Sequence, residues 1–184
     1  MSKKIIILNG SPRSKGNTAM LCDEFAKGAE SAGHTVTRFN LQGMNIHPCL
    51  GCVKGGKDAA SPCVQKDDMD KIYPVYKEAD ILVLASPMYY WSVTGQLKAA
   101  FDRLFAVAEA DNYVNPHKDC VMLMAAEGDT KDNWKPVIDY YQSLLGHLGW
   151  KDLGMVLAGG VMNVGDIKGK PALEQASQLG ASIK

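Results

Sequence analysis

The sequence predicts one α/β domain built on a doubly wound, five-stranded parallel sheet with helices on both faces. Apolar segments alternate with stretches of helical spacing along the chain, which is typical of parallel strands joined by right-handed crossover helices. Three of the apolar segments are short and nearly continuous, as expected of strands that are covered on both faces. A chain of 184 residues can bury a sufficient core, so we expect a single domain over residues 1–184.

The predicted elements follow one another in a regular order. The β-branched run at residues 5–8 predicts the first strand, and Met20, Leu21, Phe25 and Ala29 recur at helical spacing in the helix after it. The other predicted strands cover residues 34–41, 80–85, 119–125 and 152–158. The predicted helices cover residues 17–32, 67–78, 93–106, 131–147 and 171–183. Five strands and five helices in this order fit a flavodoxin-like fold, in which ligands bind at the carboxyl ends of the strands.

One local conflict lies in the second predicted helix. Pro74 falls inside residues 67–78, where an interior proline costs about 3 kcal/mol because it removes a backbone hydrogen bond and clashes with the preceding turn. We expect either a kinked helix or two short helical pieces, with Asp67 or Asp68 as the cap.

The composition excludes several kinds of partner. Twenty basic and twenty acidic residues give a net charge of zero, so bulk charge does not favour nucleic acid or an anionic membrane. After Lys3 and Lys4 the apolar run lasts only four residues, which is too short for a signal peptide, and no segment reaches transmembrane length. We therefore expect a soluble cytoplasmic protein with no nucleic-acid or membrane partner.

The loop after the first strand has the composition of a phosphate-binding site. A strand that leads through a short loop into a helix N-terminus places unpaired N–H groups and the positive end of the helix dipole beside an anion. The loop has neither a Walker A motif nor G-x-G-x-x-G, so a terminal phosphomonoester, as in FMN, is favoured. The alternative is an ordinary turn in which Ser and Asn are caps. The side chains suited to phosphate are Ser11, Arg13, Ser14, Lys15, Asn17 and Thr18.

A second loop, after the strand at 80–85, has three consecutive aromatic residues. Aromatic faces and backbone donors at the end of a strand suit a flat ring with polar edges, such as the isoalloxazine of FMN. Both loops lie at the same sheet edge, which favours a flavin over the alternatives of a core cap or a subunit contact. The residues expected beside the ring are Pro87, Met88, Tyr89, Tyr90, Trp91 and Ser92.

A third loop, residues 125–130, follows the fourth predicted strand and should face the same crevice. We include Glu127 and Gly128 among the expected cofactor contacts, since Gly128 permits a close approach of backbone to flavin. An ordinary strand-to-helix turn explains this loop equally well.

Short motifs follow one another in a distinctive order along the chain. They are Gly10-Ser11-Pro12-Arg13 with Gly16-Asn17-Thr18, Cys49-x-x-Cys52, Asp67-Asp68-Met69, Ser86-Pro87-Met88-Tyr89 with Gly95-Gln96-Leu97-Lys98, Phe101-Asp102-Arg103, and Gly159-Gly160 with Gly165-Asp166. This set resembles the NADPH-dependent FMN reductase and iron–sulfur flavoprotein group over nearly the whole chain. The resemblance implies a flavodoxin-like fold, bound FMN, and a homodimer or homotetramer with flavin near the subunit interface. It also implies that Ser11, Arg13, Asn17 and Thr18 hold the phosphate and that residues 87–92 flank the ring.

The cysteines depart from the pattern of the metal-bearing relatives. Five cysteines in a chain without an export signal indicate reduced thiols or a metal site rather than disulfides. Iron–sulfur flavoproteins carry a compact set of four cysteines, whereas only Cys49, Cys52 and Cys63 occur in the corresponding region here. We therefore expect no [4Fe–4S] cluster and no other bound metal. A zinc site completed by His47 is the alternative.

These observations predict an enzyme, an FMN-dependent NAD(P)H oxidoreductase. It would pass electrons from reduced nicotinamide through FMN to a small acceptor, such as a quinone, flavin, nitro or azo compound, or metal ion. The flavin carries the chemistry, so no side chain is assigned as a catalytic acid or base. The alternatives are a non-catalytic flavin-binding protein and a flavodoxin-type electron carrier, which the neutral charge disfavours because such carriers are usually acidic.

Overall fold

Five parallel strands form one sheet in the computed structural model, which describes residues 1–184. The strands are β1 (Lys4–Asn9), β2 (Thr35–Asn40), β3 (Ile81–Pro87), β4 (Asp119–Ala125) and β5 (Lys151–Ala158). Their order is β2-β1-β3-β4-β5, and every neighbouring pair is parallel. This is the doubly wound order of flavodoxin-like folds, so the predicted fold class is confirmed. The order reverses beside β1 and β3, whose carboxyl ends are neighbours.

Six α-helices cover the sheet, one more than the sequence predicts. They are α1 (Asn17–Ser31), α2 (Met69–Glu78), α3 (Gly95–Arg103), α4 (Phe105–Ala110), α5 (Lys131–Leu148) and α6 (Pro171–Ala181). The extra helix arises because the predicted helix at 93–106 is divided at Leu104. There the backbone N–H of Leu104 bonds to the carbonyl of Phe101 at 3.0 Å, an i to i−3 bond of the tighter 3₁₀ type that interrupts the α-helical ladder.

The helix that contains Pro74 is one continuous element. Pro74 is the sixth residue of α2, so the backbone bond that it removes is the one to the Asp70 carbonyl in the first turn. The side chain of Asp67 accepts a hydrogen bond from the Met69 N–H at 3.1 Å at the helix start. Of the two predicted caps, Asp68 is at the N-cap position but its side chain makes no capping bond, whereas Asp67, one residue earlier, accepts from the first turn; the predicted division into two pieces is absent.

Two apolar cores lie on opposite faces of the sheet. Ile6 and Leu8 of β1 enter one core together with side chains from α2 to α5, while Ile5 and Ile7 enter the other with α1 and α6. The pair α1 and α6 packs so closely that a Cβ on Gly28 would lie 2.0 Å from the Ser177 carbonyl oxygen. No helix combines the length and the apolar character that crossing a bilayer requires.

A buried ion pair fastens the long connection between β2 and α2 to α3. Arg103 donates from Nη1 to Asp67 Oδ2 at 2.8 Å and from Nη2 to Asp67 Oδ1 at 3.1 Å, and both side chains are at most 1% exposed. The guanidinium also donates to the His47 carbonyl (2.9 Å), the Gln65 carbonyl (3.2 Å) and Cys63 Sγ (3.1 Å). These five contacts engage all five N–H donors of the guanidinium. A buried charge is tolerated when it is paired and its hydrogen-bonding groups are satisfied in this way.

The Asp67 carboxyl makes stability depend on pH. Burial raises its pKa, but hydrogen bonds from Arg103 and from the backbone N–H groups of His47 and Met69 outweigh burial and hold the pKa below its usual value. A carboxyl with a lowered native pKa contributes stability that is fully present above its ordinary pKa of about 4. That contribution is lost as the pH falls through the lowered value.

We predict that Asp67→Asn lowers the free energy of unfolding by about 3–5 kcal/mol at pH 7, because it leaves the Arg103 charge buried without its counter-ion. The difference from the wild type should shrink as the pH falls from about 4 through the lowered native pKa of Asp67, because the wild type then loses the contribution of the ionised carboxyl. Urea denaturation at a series of pH values measures both quantities. Asp139→Asn, which removes an exposed i,i+4 pair with Lys135, is the control and should cost less than about 1 kcal/mol. Equal losses in the two variants would contradict the prediction.

Candidate functional site

The phosphate loop, residues 10–18, follows β1 and is shaped by its own hydrogen bonds. The Ser11 hydroxyl donates to the Arg13 carbonyl at 3.1 Å and accepts from the Arg13 N–H at 3.2 Å. The Gly16 N–H also donates to the Arg13 carbonyl, at 3.0 Å. A Cβ on Gly16 would lie 2.9 Å from the Arg13 Cβ, so the tight return of the chain requires glycine here.

The start of α1 presents unpaired backbone donors toward this loop. The first backbone bond of the helix runs from the Met20 N–H to the Gly16 carbonyl at 3.1 Å. The N–H groups of Asn17, Thr18 and Ala19 therefore have no partner within the helix. Together with the positive end of the helix dipole, these groups form a site suited to an anion.

The ring loop, residues 87–92, follows β3 and contains a strained two-residue turn. Tyr89 and Ser92 exchange two backbone hydrogen bonds of 3.0 and 3.1 Å, and the residues between them have positive φ angles, 48° for Tyr90 and 60° for Trp91. Non-glycine residues seldom adopt this conformation. Tyr90 is 95% exposed, so its ring is displayed to solvent rather than packed in the core.

Thr94 fixes the two loops relative to each other. Its hydroxyl donates to the Gly10 carbonyl at 2.9 Å and accepts from the Leu97 N–H at 3.3 Å, which caps α3. Its N–H donates to the Ser86 hydroxyl at 2.9 Å. A Cβ on Gly10 would lie 2.5 Å from Thr94 Oγ1, so this approach requires glycine at position 10.

The two loops border a cleft of about 250 Å³ at the carboxyl edge of the sheet. An adjoining cleft of about 210 Å³ shares Met88, Ala126 and Glu127 with it. Of the predicted site residues, those that line the first cleft are Ser11, Arg13, Asn17, Thr18, Pro87, Met88, Tyr89 and Glu127. Those that line the adjoining cleft are Met88, Tyr90, Trp91, Glu127 and Gly128. Lys15 and Ser92 line neither cleft, since Lys15 points to solvent and Ser92 closes the turn through its backbone.

Three residues of these walls were not identified from the sequence. Val161 and Met162 line the first cleft and Asn133 lines the adjoining one. Val161 and Met162 follow β5, and the parallel topology brings the end of every strand to this edge. The Gly159-Gly160 pair directly before them was the sequence feature that could have indicated a third loop at the cleft. Asn133 lies in the first turn of α5, where no local pattern distinguishes it from a surface residue.

The Asn17 amide is occupied by protein contacts. Its Oδ1 accepts hydrogen bonds from the N–H groups of Gly165 (3.1 Å) and Ile167 (3.4 Å), and its Nδ2 donates to the Asn163 carbonyl at 2.9 Å. Arg13 Nη1 donates to the Met162 carbonyl at 2.7 Å, and no bond engages its other guanidinium nitrogens. The direct contribution of Asn17 to an anion is therefore mainly through its backbone N–H.

The polar groups of the clefts fit a flavin mononucleotide. Asn133 Nδ2 is the only buried side-chain nitrogen or oxygen without a hydrogen-bond partner, and it lies on the wall of the adjoining cleft. The carbonyl-rich edge of an isoalloxazine can accept from such a donor, while the helix N–H groups can donate to a phosphate. One end of the site thus suits an anion and the other a flat ring with acceptors.

Three cysteines lie on the wall of a separate small cavity of about 50 Å³ beside α3 and α4. Cys49, Cys52 and Cys63 line it, and Cys63 Sγ accepts the hydrogen bond from Arg103 Nε. His47 Nδ1 lies 3.5 Å from Asp67 Oδ2. No group of three His, Cys, Asp or Glu side chains has the arrangement of a metal site. The expected absence of a metal stays a prediction.

The two remaining cysteines are buried thiols. Cys22 of α1 and Cys120 of β4 are fully enclosed, and burial raises the pKa of each to about 12. They therefore act as small buried hydrophobic residues of the core.

Comparisons with known proteins connect this geometry to a family. The profile of the NADPH-dependent FMN reductase family matches residues 3–160. An iron–sulfur flavoprotein of Archaeoglobus fulgidus is 32% identical over 180 residues, which cover 98% of this chain and 78% of that protein. A Bacillus subtilis protein, whose name proposes an NAD(P)H-dependent FMN-containing oxidoreductase, is 25% identical with 96% of each chain covered.

Other matches define how far the similarity extends. An iron–sulfur flavoprotein of Methanocaldococcus jannaschii is 36% identical over 100 residues, and the match spans only 51% of its length. Among solved structures, an NAD(P)H:quinone oxidoreductase from Methanothermobacter marburgensis superimposes with a TM-score of 0.76 and 24% identity, covering 98% of this chain and 96% of that one. At this identity the structural similarity establishes the fold.

We predict that Gly10→Ala lowers the free energy of unfolding by about 1–3 kcal/mol, because the new methyl group collides with the Thr94 hydroxyl and the Leu97 Cβ. Urea denaturation measures the change. Gly95→Ala, one residue after Thr94, is the matched control because a Cβ there meets nothing within 4 Å. It should be neutral or stabilise by up to about 1 kcal/mol. A Gly10→Ala variant as stable as this control would contradict the close contact.

Proposed function

The chain belongs to the NADPH-dependent FMN reductase family and is an FMN-dependent NAD(P)H oxidoreductase, and we propose that the cleft between the phosphate loop and the ring loop holds its FMN. The observation that carries this proposal is that unpaired helix N–H groups and residues 87–89 of the ring loop line one cleft where β1 and β3 end, and that the other two aromatic residues of the loop line the cleft adjoining it. Doubly wound folds bind ligands at this point of strand-order reversal.

The phosphate end would be held mainly by the first turn of α1. The backbone N–H groups of Asn17, Thr18 and Ala19 and the Thr18 hydroxyl are the nearest donors that no other protein group engages. Arg13 adds a charge-assisted contact through its free guanidinium nitrogens, while Ser11 keeps the loop in shape. Lys15 is exposed and contributes only to the local positive potential.

The ring end would lie against the walls of both clefts. Pro87, Met88 and Tyr89 form one wall, and Glu127 with Gly128 contributes backbone from the loop after β4. Asn133 Nδ2 is a side-chain donor for the polar edge of the ring. Tyr90 and Trp91 extend past this wall, and Ser92 acts by closing their turn.

Bound FMN supplies the redox chemistry, since a flavin accepts a hydride from reduced nicotinamide and returns electrons to an acceptor. The protein binds and orients the ring, and it leaves the face beside Tyr90 and Trp91 open to solvent. An open face bordered by aromatic side chains suits small, flat molecules, so we propose quinones, flavins and nitro or azo compounds as acceptors ahead of metal ions. No side chain is assigned as a general acid or base.

The surroundings of the site favour an oligomer. Tyr90, Trp91 and Met162 are each more than half exposed beside the clefts, and exposed apolar groups of this size mark contact surfaces. We therefore propose a homodimer or homotetramer. We also propose that the protein is located in the cytoplasm.

We predict that the purified protein binds FMN and oxidises NADH or NADPH when a quinone is supplied. Flavin fluorescence titration measures binding, and the loss of nicotinamide absorbance measures turnover. Failure to bind FMN at roughly tens of micromolar would contradict the proposal, because a buried cofactor site should bind more tightly.

We also predict that Cys49, Cys52 and Cys63 are free thiols. Iron and acid-labile sulfide analysis of an anaerobic preparation tests this state. Stoichiometric iron and sulfide would overturn it.

We predict that Arg13→Ala weakens FMN binding by roughly 10- to 150-fold, because charge-assisted hydrogen bonds contribute about 1.5–3 kcal/mol. Riboflavin, which lacks the phosphate, should lose far less affinity. Trp91→Ala and Tyr89→Ala should instead weaken FMN and riboflavin alike and shift the flavin spectrum or potential, because they remove contacts at the ring end. Equal losses for the two flavins in Arg13→Ala would show that Arg13 is not a phosphate ligand.

A further inference from the structure

The C-terminal loop, residues 161–167 between β5 and α6, is fastened to the phosphate loop. The Asn17 amide makes three hydrogen bonds to its backbone, at Asn163, Gly165 and Ile167. Arg13 adds a fourth, to the Met162 carbonyl. The two side chains that reach this loop therefore come from the same turn that would hold a phosphate.

The loop also has internal structure. Asp166 Oδ2 accepts hydrogen bonds from the N–H groups of Met162 (3.0 Å) and Asn163 (2.7 Å), and Gly165 adopts a φ of +95°. At its start, the Val161 N–H donates to the Ala126 carbonyl at 3.0 Å. The loop is thus fixed at its start by Ala126, the residue after β4, within itself by Asp166, and at its far end by Asn17.

We propose that Asn17 is a positioning residue, which holds the C-terminal loop as a third wall of the flavin cleft instead of binding the phosphate through its amide. The proposal rests on the proposed function, because it assigns this cleft to FMN. Asn17 Oδ1 accepts from two backbone N–H groups of the loop and Nδ2 donates to a third backbone group, so the loop uses three of the four hydrogen-bonding positions of this amide, and the residue is only 7% exposed. Val161 and Met162 are the residues of this loop that line the cleft.

The two roles make different demands on the ligand. A residue that binds the phosphate strengthens the binding of FMN and does not affect the binding of riboflavin, which has no phosphate. A wall built from Val161 and Met162 contacts the uncharged part of the flavin, so its loss weakens both molecules. The same loss should release the backbone of the C-terminal loop even when no flavin is bound.

The test compares Asn17→Ala, Asp166→Ala, the double variant and Thr18→Val. Stopped-flow dissociation of FMN and of riboflavin is measured for each, together with amide hydrogen exchange in residues 162–167 of the flavin-free protein. Asn17→Ala and Asp166→Ala should each speed dissociation of both flavins by about 5- to 50-fold, the range for one or two lost hydrogen bonds. Both should accelerate exchange in the loop. Thr18→Val, which removes a hydroxyl from the phosphate end, should speed FMN release alone and leave loop exchange unchanged.

The double variant separates a shared mechanism from two independent ones. If Asn17 and Asp166 act through the same loop, the double variant should release flavin little faster than the more affected single variant. Effects that multiply would contradict the proposal. Asp166 is exposed, so Asp166→Ala still provides a measurement if Asn17→Ala does not fold.

Two further outcomes are decisive. If Asn17→Ala speeds FMN release, spares riboflavin and leaves loop exchange unchanged, Asn17 is a phosphate ligand and the proposal is wrong. If the wild type binds neither flavin, the proposed function fails by itself. In that case faster loop exchange in Asn17→Ala would still establish that Asn17 holds the loop, and unchanged exchange would reject it.

Discussion

The spacing of the site depends on a contact that only glycine permits. The Gly10 N–H bonds to the Ala85 carbonyl at 2.8 Å, which extends the pairing of β1 and β3 by one residue, and there the Thr94 hydroxyl meets the Gly10 carbonyl. The Thr94 hydroxyl also caps α3, and the Thr94 backbone N–H donates to the Ser86 hydroxyl, so one residue joins two strands, a helix and both loops. The distance between the phosphate end and the ring end is therefore set by buried backbone rather than by the side chains of the cleft.

Arg103 provides a second fixed point and constrains the cysteine region. Its guanidinium donates to Cys63 Sγ, and its partner Asp67 lies 3.5 Å from the exposed imidazole of His47. Cys63, which could have joined Cys49 and Cys52 around a metal, is thus engaged by a buried charge network. Such a network is costly to disturb, because each group that lost a partner would stay buried and unsatisfied. This arrangement favours free thiols.

Regular features of the chain were predictable because they have local patterns. The apolar segments, three of them nearly continuous, predicted all five strands to within a few residues, and the loops after β1 and β3 were recognisable because parallel strands end at one edge. The break at Leu104 was not predictable, since neither glycine nor proline marks it. The hydrogen bonds from the Asn17 amide to the C-terminal loop were not predictable, because the partners lie about 150 residues away along the chain and no local pattern records the pairing.

The strain in the ring loop indicates how the two ends of the cleft divide their tasks. A left-handed conformation costs roughly 1–2 kcal/mol per non-glycine residue, and Tyr90 and Trp91 adopt it in succession. Their exposed rings gain little packing energy in this chain. The turn is therefore held by the two backbone hydrogen bonds between Tyr89 and Ser92 and by the hydrogen bond that the Met88 N–H donates to the Ala125 carbonyl. A rigid turn that displays two aromatic rings loses little conformational entropy when a flat molecule or a second subunit covers it. The phosphate end is closed by three loops and suits permanent retention of a cofactor, whereas the strained ring end is open and suits the repeated exchange of substrates.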